Sequence, residues 1–145
     1  MIYAIIAAIL AVIDQSTKSK VDDDKSITKV YNHGLPFGFL KERPVWVKLI
    51  HLTVVLGVFF KWLYLLFQKG RTAEKIGYTF LLGGGVSNLY DRWNRGHVVD
   101  YIKVGKVYYN LADFFVFAGA AVLGICTLLR FCGKIFRRVF IRFRV

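Results

Sequence analysis

The chain has 145 residues, 56% hydrophobic and 17% aromatic, with Lys plus Arg outnumbering Asp plus Glu by 21 to 9 for a net charge of +12. Its mean hydropathy of +0.46 and its charge exclude an ordinary soluble domain, and its apolar content excludes intrinsic disorder. The solvent that suits such a chain is a lipid bilayer.

A helix crossing the bilayer core takes about 20 apolar residues. Four runs approach that length, at about 2–18, 45–67, 76–93 and 111–132, followed by a basic tail over 133–145. The first run has no basic residue before it and no small-x-small cleavage site after it, so it reads as a retained helix rather than a signal peptide. The second contains Lys48 and Lys61, whose ammonium groups can snorkel to an interface, and Trp46 and Trp62 near its ends suit interfacial anchoring.

The third run turns Gly-rich and then polar, GGGVSNLYDRW, and Gly83 with Ser87 forms a small-xxx-small pair for close helix packing. The fourth is uncharged from Phe114 to Leu129 and leads into KIFRRVFIRFRV; Cys126 and Cys132 have no metal-ligand or disulfide pattern and read as packing thiols. These runs predict an α-helical membrane protein, a single domain built as a four-transmembrane-helix bundle. Between the first two runs lie DDD at 22–24, a possible extended run ITKVY and the turn-rich NHGLPFG, which predict a small extramembrane β element. A second hairpin-like segment, VGKVYYN, has Gly105 at its turn.

Orientation by Lys and Arg is nearly tied, nine on the side of the termini against ten opposite, with the short-loop and tail charges favouring cytoplasmic termini. The acidic residues are more lopsided. All nine except Glu74 fall on the side of the first and third connections, so chemistry that needs carboxylates belongs to one face of the membrane.

Ionisable residues in spanning segments are expensive, and each needs an explanation. Asp14 and Lys18 are four apart with the acid first, the favourable order for an intrahelical ion pair. Asp91 closes the third run where a helix dipole disfavours an anion, with Arg92 and Arg95 at hand to compensate. Asn88 lies one turn before Arg92, so the two can offer donors to a peptide backbone. Asp113 follows Asn110 by three residues, the spacing of a capping box. Asp100, in VVDYI, has an apolar, β-branched setting with no adjacent cation, which raises a carboxyl's pKa by desolvation. A raised carboxyl beside an ionised one is a pair able to share one proton.

These residues also carry a resemblance. SNLYDRWNRGHVVDYI (87–102) and YNLADFF (109–115), with weaker support from NHGLPFGFL (32–40) and DQSTK (14–18), make the sequence similar to the bacterial lipoprotein signal peptidases, or type II signal peptidases. The four blocks occur in family order and touch every predicted helix. Ser87 stands where the family usually has Gly and Pro36 where it usually has a small residue. The stretches from DQSTK to NHG and from Asp100 to Asp113 are shorter than usual.

The resemblance implies four transmembrane helices, both termini in the cytoplasm and an outer β-cradle. It implies an aspartic endopeptidase that cuts a prolipoprotein before its diacylglyceryl-modified cysteine. By matching position, Asp100 and Asp113 are the catalytic pair; Asn32, Asn88, Arg92 and Asn110 position substrate or pair; Asp14, Lys18 and Asp91 support the structure. The partners are the prolipoprotein and membrane lipids, with no nucleic acid, no metal and no organic cofactor, and the chain acts as a monomer. Two rival readings stand beside it, a non-catalytic lipopeptide-binding relative and a small proton or ion carrier.

Overall fold

A computed structural model of the chain describes residues 1–34 and 40–142, with side chains outside 137–142. The elements run α1 (Ile2–Asp23), β1 (Val30–Asn32), α2 (Pro44–Leu66), α3 (Thr72–Asn94), β2 (Val98–Asp100), β3 (Ile102–Val104), β4 (Val107–Tyr109) and α4 (Leu111–Arg142). The four predicted helices are present, and three of their ends move. α1 runs five residues past Lys18, because neither Gly nor Pro interrupts the sequence to Asp23 and its cap. α3 begins four residues early, at Thr72, with Arg71 in the left-handed region at its N-cap and Glu74 in its first turn. α4 continues ten residues past Cys132 through the basic segment. At a rise of 1.5 Å per residue its 32 residues reach about 48 Å, longer than the hydrocarbon core.

Three helices are long and apolar enough to cross a membrane, α1, α2 and the Leu111–Phe136 part of α4. α3 differs because its buried face is built from small and polar residues, among them Gly83, Gly84, Ser87, Asn88, Asp91 and Arg92. It packs against all three other helices. The chain is correspondingly apolar outside and polar within: Ile5, Ile9, Phe60, Leu128 and Phe131 are exposed, while Asp14, Lys18 and Asp91 are fully buried.

Close approach to α3 depends on its glycines. A Cβ on Gly83 would lie 2.9 Å from the Leu10 Cβ of α1, and one on Gly84 would collide with the Ala112 carbonyl oxygen of α4. A small apolar cluster of Ala7, Val55, Trp62 and Leu82 joins α1, α2 and α3. Trp62 does not serve as the surface anchor expected of it: it is buried, and its indole N–H donates to Thr79 Oγ1 at 2.9 Å. Trp46 is exposed as expected.

Two antiparallel strand pairs form the β structure. β1 pairs with β2 in the register Val30↔Asp100 and Asn32↔Val98, bringing together segments 68 residues apart. β3 and β4 form the expected hairpin, with Gly105 at φ 62° in its turn, a backbone conformation open to glycine. Residues 35–39 of NHGLPFGFL, Pro36 included, and residues 143–145 of the tail lie outside the described residues.

Candidate active site

Asp100 ends β2 and Asp113 lies in the first turn of α4, and both are held by Asn110 between them. Asn110 and Asp113 form the expected capping box: the Asp113 N–H donates to Asn110 Oδ1 at 3.0 Å, and the Asn110 N–H donates to Asp113 Oδ2 at 3.1 Å. With its side-chain oxygen so engaged, the Asn110 amide presents its nitrogen to Asp100 Oδ1, at 2.6 Å. One fully buried residue therefore holds both carboxyls.

The remaining oxygens are also engaged. Asn32 Nδ2 donates to Asp100 Oδ2 at 3.1 Å, while its own oxygen accepts from the Gly34 N–H at 3.1 Å. Asn88 Nδ2 donates to Asp113 Oδ1 at 2.9 Å, and Asn88 Oδ1 accepts from Lys18 Nζ at 2.7 Å. Each amide's orientation is set by what its oxygen accepts, so three asparagines aim donors at the two carboxyls. Asp100 is 3% exposed. Burial first, and the charge of Asp113 second, push its carboxyl up to about 6, against the opposing pull of the Asn110 and Asn32 donors.

Behind Asn88 lies a buried ionic cluster. Lys18 Nζ sits 2.7 Å from both Asp14 Oδ2 and Asp91 Oδ2. The predicted Asp14–Lys18 pair is therefore present, but it also reaches across to α3. Asp14 accepts from the Ala112 backbone N–H at 2.9 Å and from the Ser87 hydroxyl at 2.6 Å, which fixes α1 to the start of α4. Asp91 accepts from Arg95 Nη1 and from Gln15 Nε2, each at 2.9 Å.

Of the two arginines that follow it, Asp91 pairs directly with Arg95 and makes no direct contact with Arg92 among the described residues. Adjacent residues of a helix point about 100° apart, and Arg92 turns instead toward the sheet and α2. Its Nη2 donates to the Gly34 carbonyl at 2.8 Å, and its Nη1 lies 3.2 Å from His51 Nδ1. Its buried Nε has no hydrogen-bond partner among the described residues. Through Gly34, whose N–H donates to Asn32, the guanidinium joins the hydrogen-bond network of the carboxyl pair.

All nine residues singled out in the sequence thus fall into one continuous assembly. Gln15, Ser87, His51 and the Gly34 carbonyl were missed as members. The discernible signal is His51, a histidine in a mostly apolar helix; Ser87 reads as a small packing residue.

The family model for signal peptidase (SPase) II matches residues 6–129. The chain belongs to the signal peptidase II family. A lipoprotein signal peptidase of Caldicellulosiruptor bescii is 30% identical over 136 residues, covering 85% of this chain and 88% of that protein. Another, from Xylella fastidiosa strain M12, is 35% identical over 108 residues, 68% of this chain and 63% of that protein. A bacterial membrane enzyme solved by the in meso method at 2.3 Å superposes with a TM-score of 0.77 over 91% of this chain and 90% of its own, at 20% identity. That likeness carries the fold. The signal peptidase II match extends from α1 into α4 and so takes in the carboxyl pair and the ionic cluster.

Proposed function

We propose that this signal peptidase II, which removes signal peptides from lipoproteins, cuts by an aspartic mechanism with Asp100 and Asp113 as the catalytic pair. The observation that carries this reading is the bridge through Asn110, which binds one oxygen of each carboxyl and fixes their relative position. Each carboxyl receives two protein donors. Those donors favour charge, whereas burial and mutual repulsion oppose a second charge, so the pair holds one proton between them.

The ionised member takes a proton from water as the water oxygen bonds to the scissile carbonyl carbon, and the protonated member gives its proton to the carbonyl oxygen. Collapse of the tetrahedral adduct breaks the C–N bond, with a proton delivered to the departing amine. Arg92, through the Nε that has no partner among the described residues, and Asn32, Asn88 and Asn110 position the substrate and the pair. Asp14, Lys18 and Asp91 hold α1, α3 and the start of α4 in place.

In this reading the bundle crosses the membrane four times, α3 included, with both termini in the cytoplasm and the strand pairs outside. The pair then lies toward the outer leaflet, where the diacylglyceryl-cysteine of a prolipoprotein is presented, and the chain works as a monomer. The Lys and Arg residues of the short connection and the tail support this orientation. The test is processing of a diacylglyceryl-modified precursor by purified protein. Asp100→Asn and Asp113→Asn should each lose about 10² to 10⁴ in rate, the usual share of a general acid or base, while remaining folded in the membrane. Near-normal turnover in either variant sinks the assignment.

A further inference from the structure

His51 is the one histidine in the described helices, and it sits in α2 beside Nη1 of Arg92, whose Nη2 reaches the Gly34 carbonyl. A guanidinium has donors and no acceptor. The His51 Nδ1 facing Arg92 at 3.2 Å must therefore be the acceptor, which makes the ring neutral with its hydrogen on Nε2. The ring is further fixed by the Gly85 backbone of α3, with which it hydrogen-bonds. Gly85 itself lies at the α2–α3 contact, where an added Cβ would meet Val55 at 3.2 Å.

We propose that His51 is a positioning residue for peptide cleavage: as a neutral acceptor in α2 it orients the Arg92 guanidinium toward Asp100, Asp113 and the bound substrate. This rests on the aspartic reading given above. Two acceptors on separate elements, Gly34 after β1 and His51 on α2, fix the two terminal nitrogens of Arg92. That leaves the buried Nε as the donor without a protein partner among the described residues. Lose His51, and the guanidinium can rotate about its last bonds or turn toward the anions, so the Nε donor no longer has a fixed direction.

The test compares wild type, His51→Leu, His51→Asn and Asp100→Asn in steady-state cleavage of a diacylglyceryl-modified precursor, with a thermal midpoint in detergent for each. Asn places its side-chain oxygen where Nδ1 stands, whereas Leu fills similar space with no acceptor. His51→Leu should lose about tenfold or more in kcat/KM, the scale of one hydrogen bond to a charged group, and His51→Asn should stay within about threefold of wild type, also by that scale. Equal losses in the two variants, tracking their thermal midpoints, would make His51 a packing residue and overturn the proposal, as would an unaffected His51→Leu. Failure of the aspartic reading looks different: Asp100→Asn would then cleave like wild type, whatever the His51 variants do.

Discussion

Burial, more than any single neighbour, raises the pKa of the Asp100 carboxyl, and this has a thermodynamic signature. The folded carboxyl titrates at about 6, against about 3.9 for an unfolded Asp. A raised folded value means that the native state holds the proton more tightly. The resulting stabilisation is complete below about pH 4 and is lost as pH rises through about 6, a change of about 3 kcal/mol. Wild type should therefore lose thermal stability relative to Asp100→Asn between pH 4 and pH 7. A constant difference over that range would show an ordinary carboxyl. Asp14 predicts the opposite balance of effects, because it serves Lys18, Ser87 and the Ala112 N–H rather than the pair. Asp14→Asn removes one of the two carboxylates at the buried Lys18 ammonium and weakens the anchorage of the Ser87 and Ala112 donors, a defect costing about 1 to 3 kcal/mol. Thermal stability should fall more than turnover per folded molecule, and a fully stable but inactive variant would make Asp14 catalytic.

At the scale of elements, the α3–α4 contact is the most demanding, and glycine makes it possible. Gly84→Ala would drive a methyl group into the Ala112 backbone, one residue from Asp113. It should destabilise the protein by about 1 to 3 kcal/mol and lower activity as well, since α4 must shift. Gly57→Ala is the control: nothing lies within 4 Å of its added Cβ, and alanine favours helix by about 1 kcal/mol. Matching melting curves for the two variants would remove the claim of close packing. The same contact shows what the sequence reveals and what it hides. The Asn110–Asp113 box is local, three residues apart, and its spacing alone identifies it. Asn32 meeting Asp100 is not local, since it requires β1 to pair with β2, and no periodicity in either three-residue strand specifies that partner. Trp62 misled because an aromatic near a helix end has the same composition whether it faces lipid or Thr79. Arg92 turns away from its sequence neighbour Asp91 because adjacent residues of a helix point about 100° apart, and its contacts with Gly34 and His51 are set by the tertiary fold.

For the whole molecule, the nearly even division of Lys and Arg leaves orientation to be decided by labelling. Single cysteines placed at Asp22, Asp24 and Gly105, in a background lacking Cys126 and Cys132, should react with an impermeant reagent from outside the cell, and those at 69–75 should not. The reverse pattern would invert the molecule and put the carboxyl pair at the cytoplasmic leaflet. The end of the bundle away from the carboxyl pair is tied by Glu74, which pairs with Arg71 and with Arg130 of α4, so the 69–75 connection and the Arg130 end of α4 should face the same side.

The polar interior of α3 also bears on how the protein is made. Leaving the translocation machinery for lipid is favourable for a segment as apolar as α2, whereas α3 is less apolar than the helices suited to span a membrane and closes on Asp91 and Arg92. The Lys18 partner of Asp91 comes from α1, synthesised long before it. The Asn88 donor finds its acceptor only when Asp113 emerges. Nascent chains stopped before residue 111 should therefore hold α3 poorly and be cleared by membrane proteases, and release of a stable product should wait for α4. The helix least able to enter the bilayer by itself thus makes biogenesis a checkpoint for an intact carboxyl site.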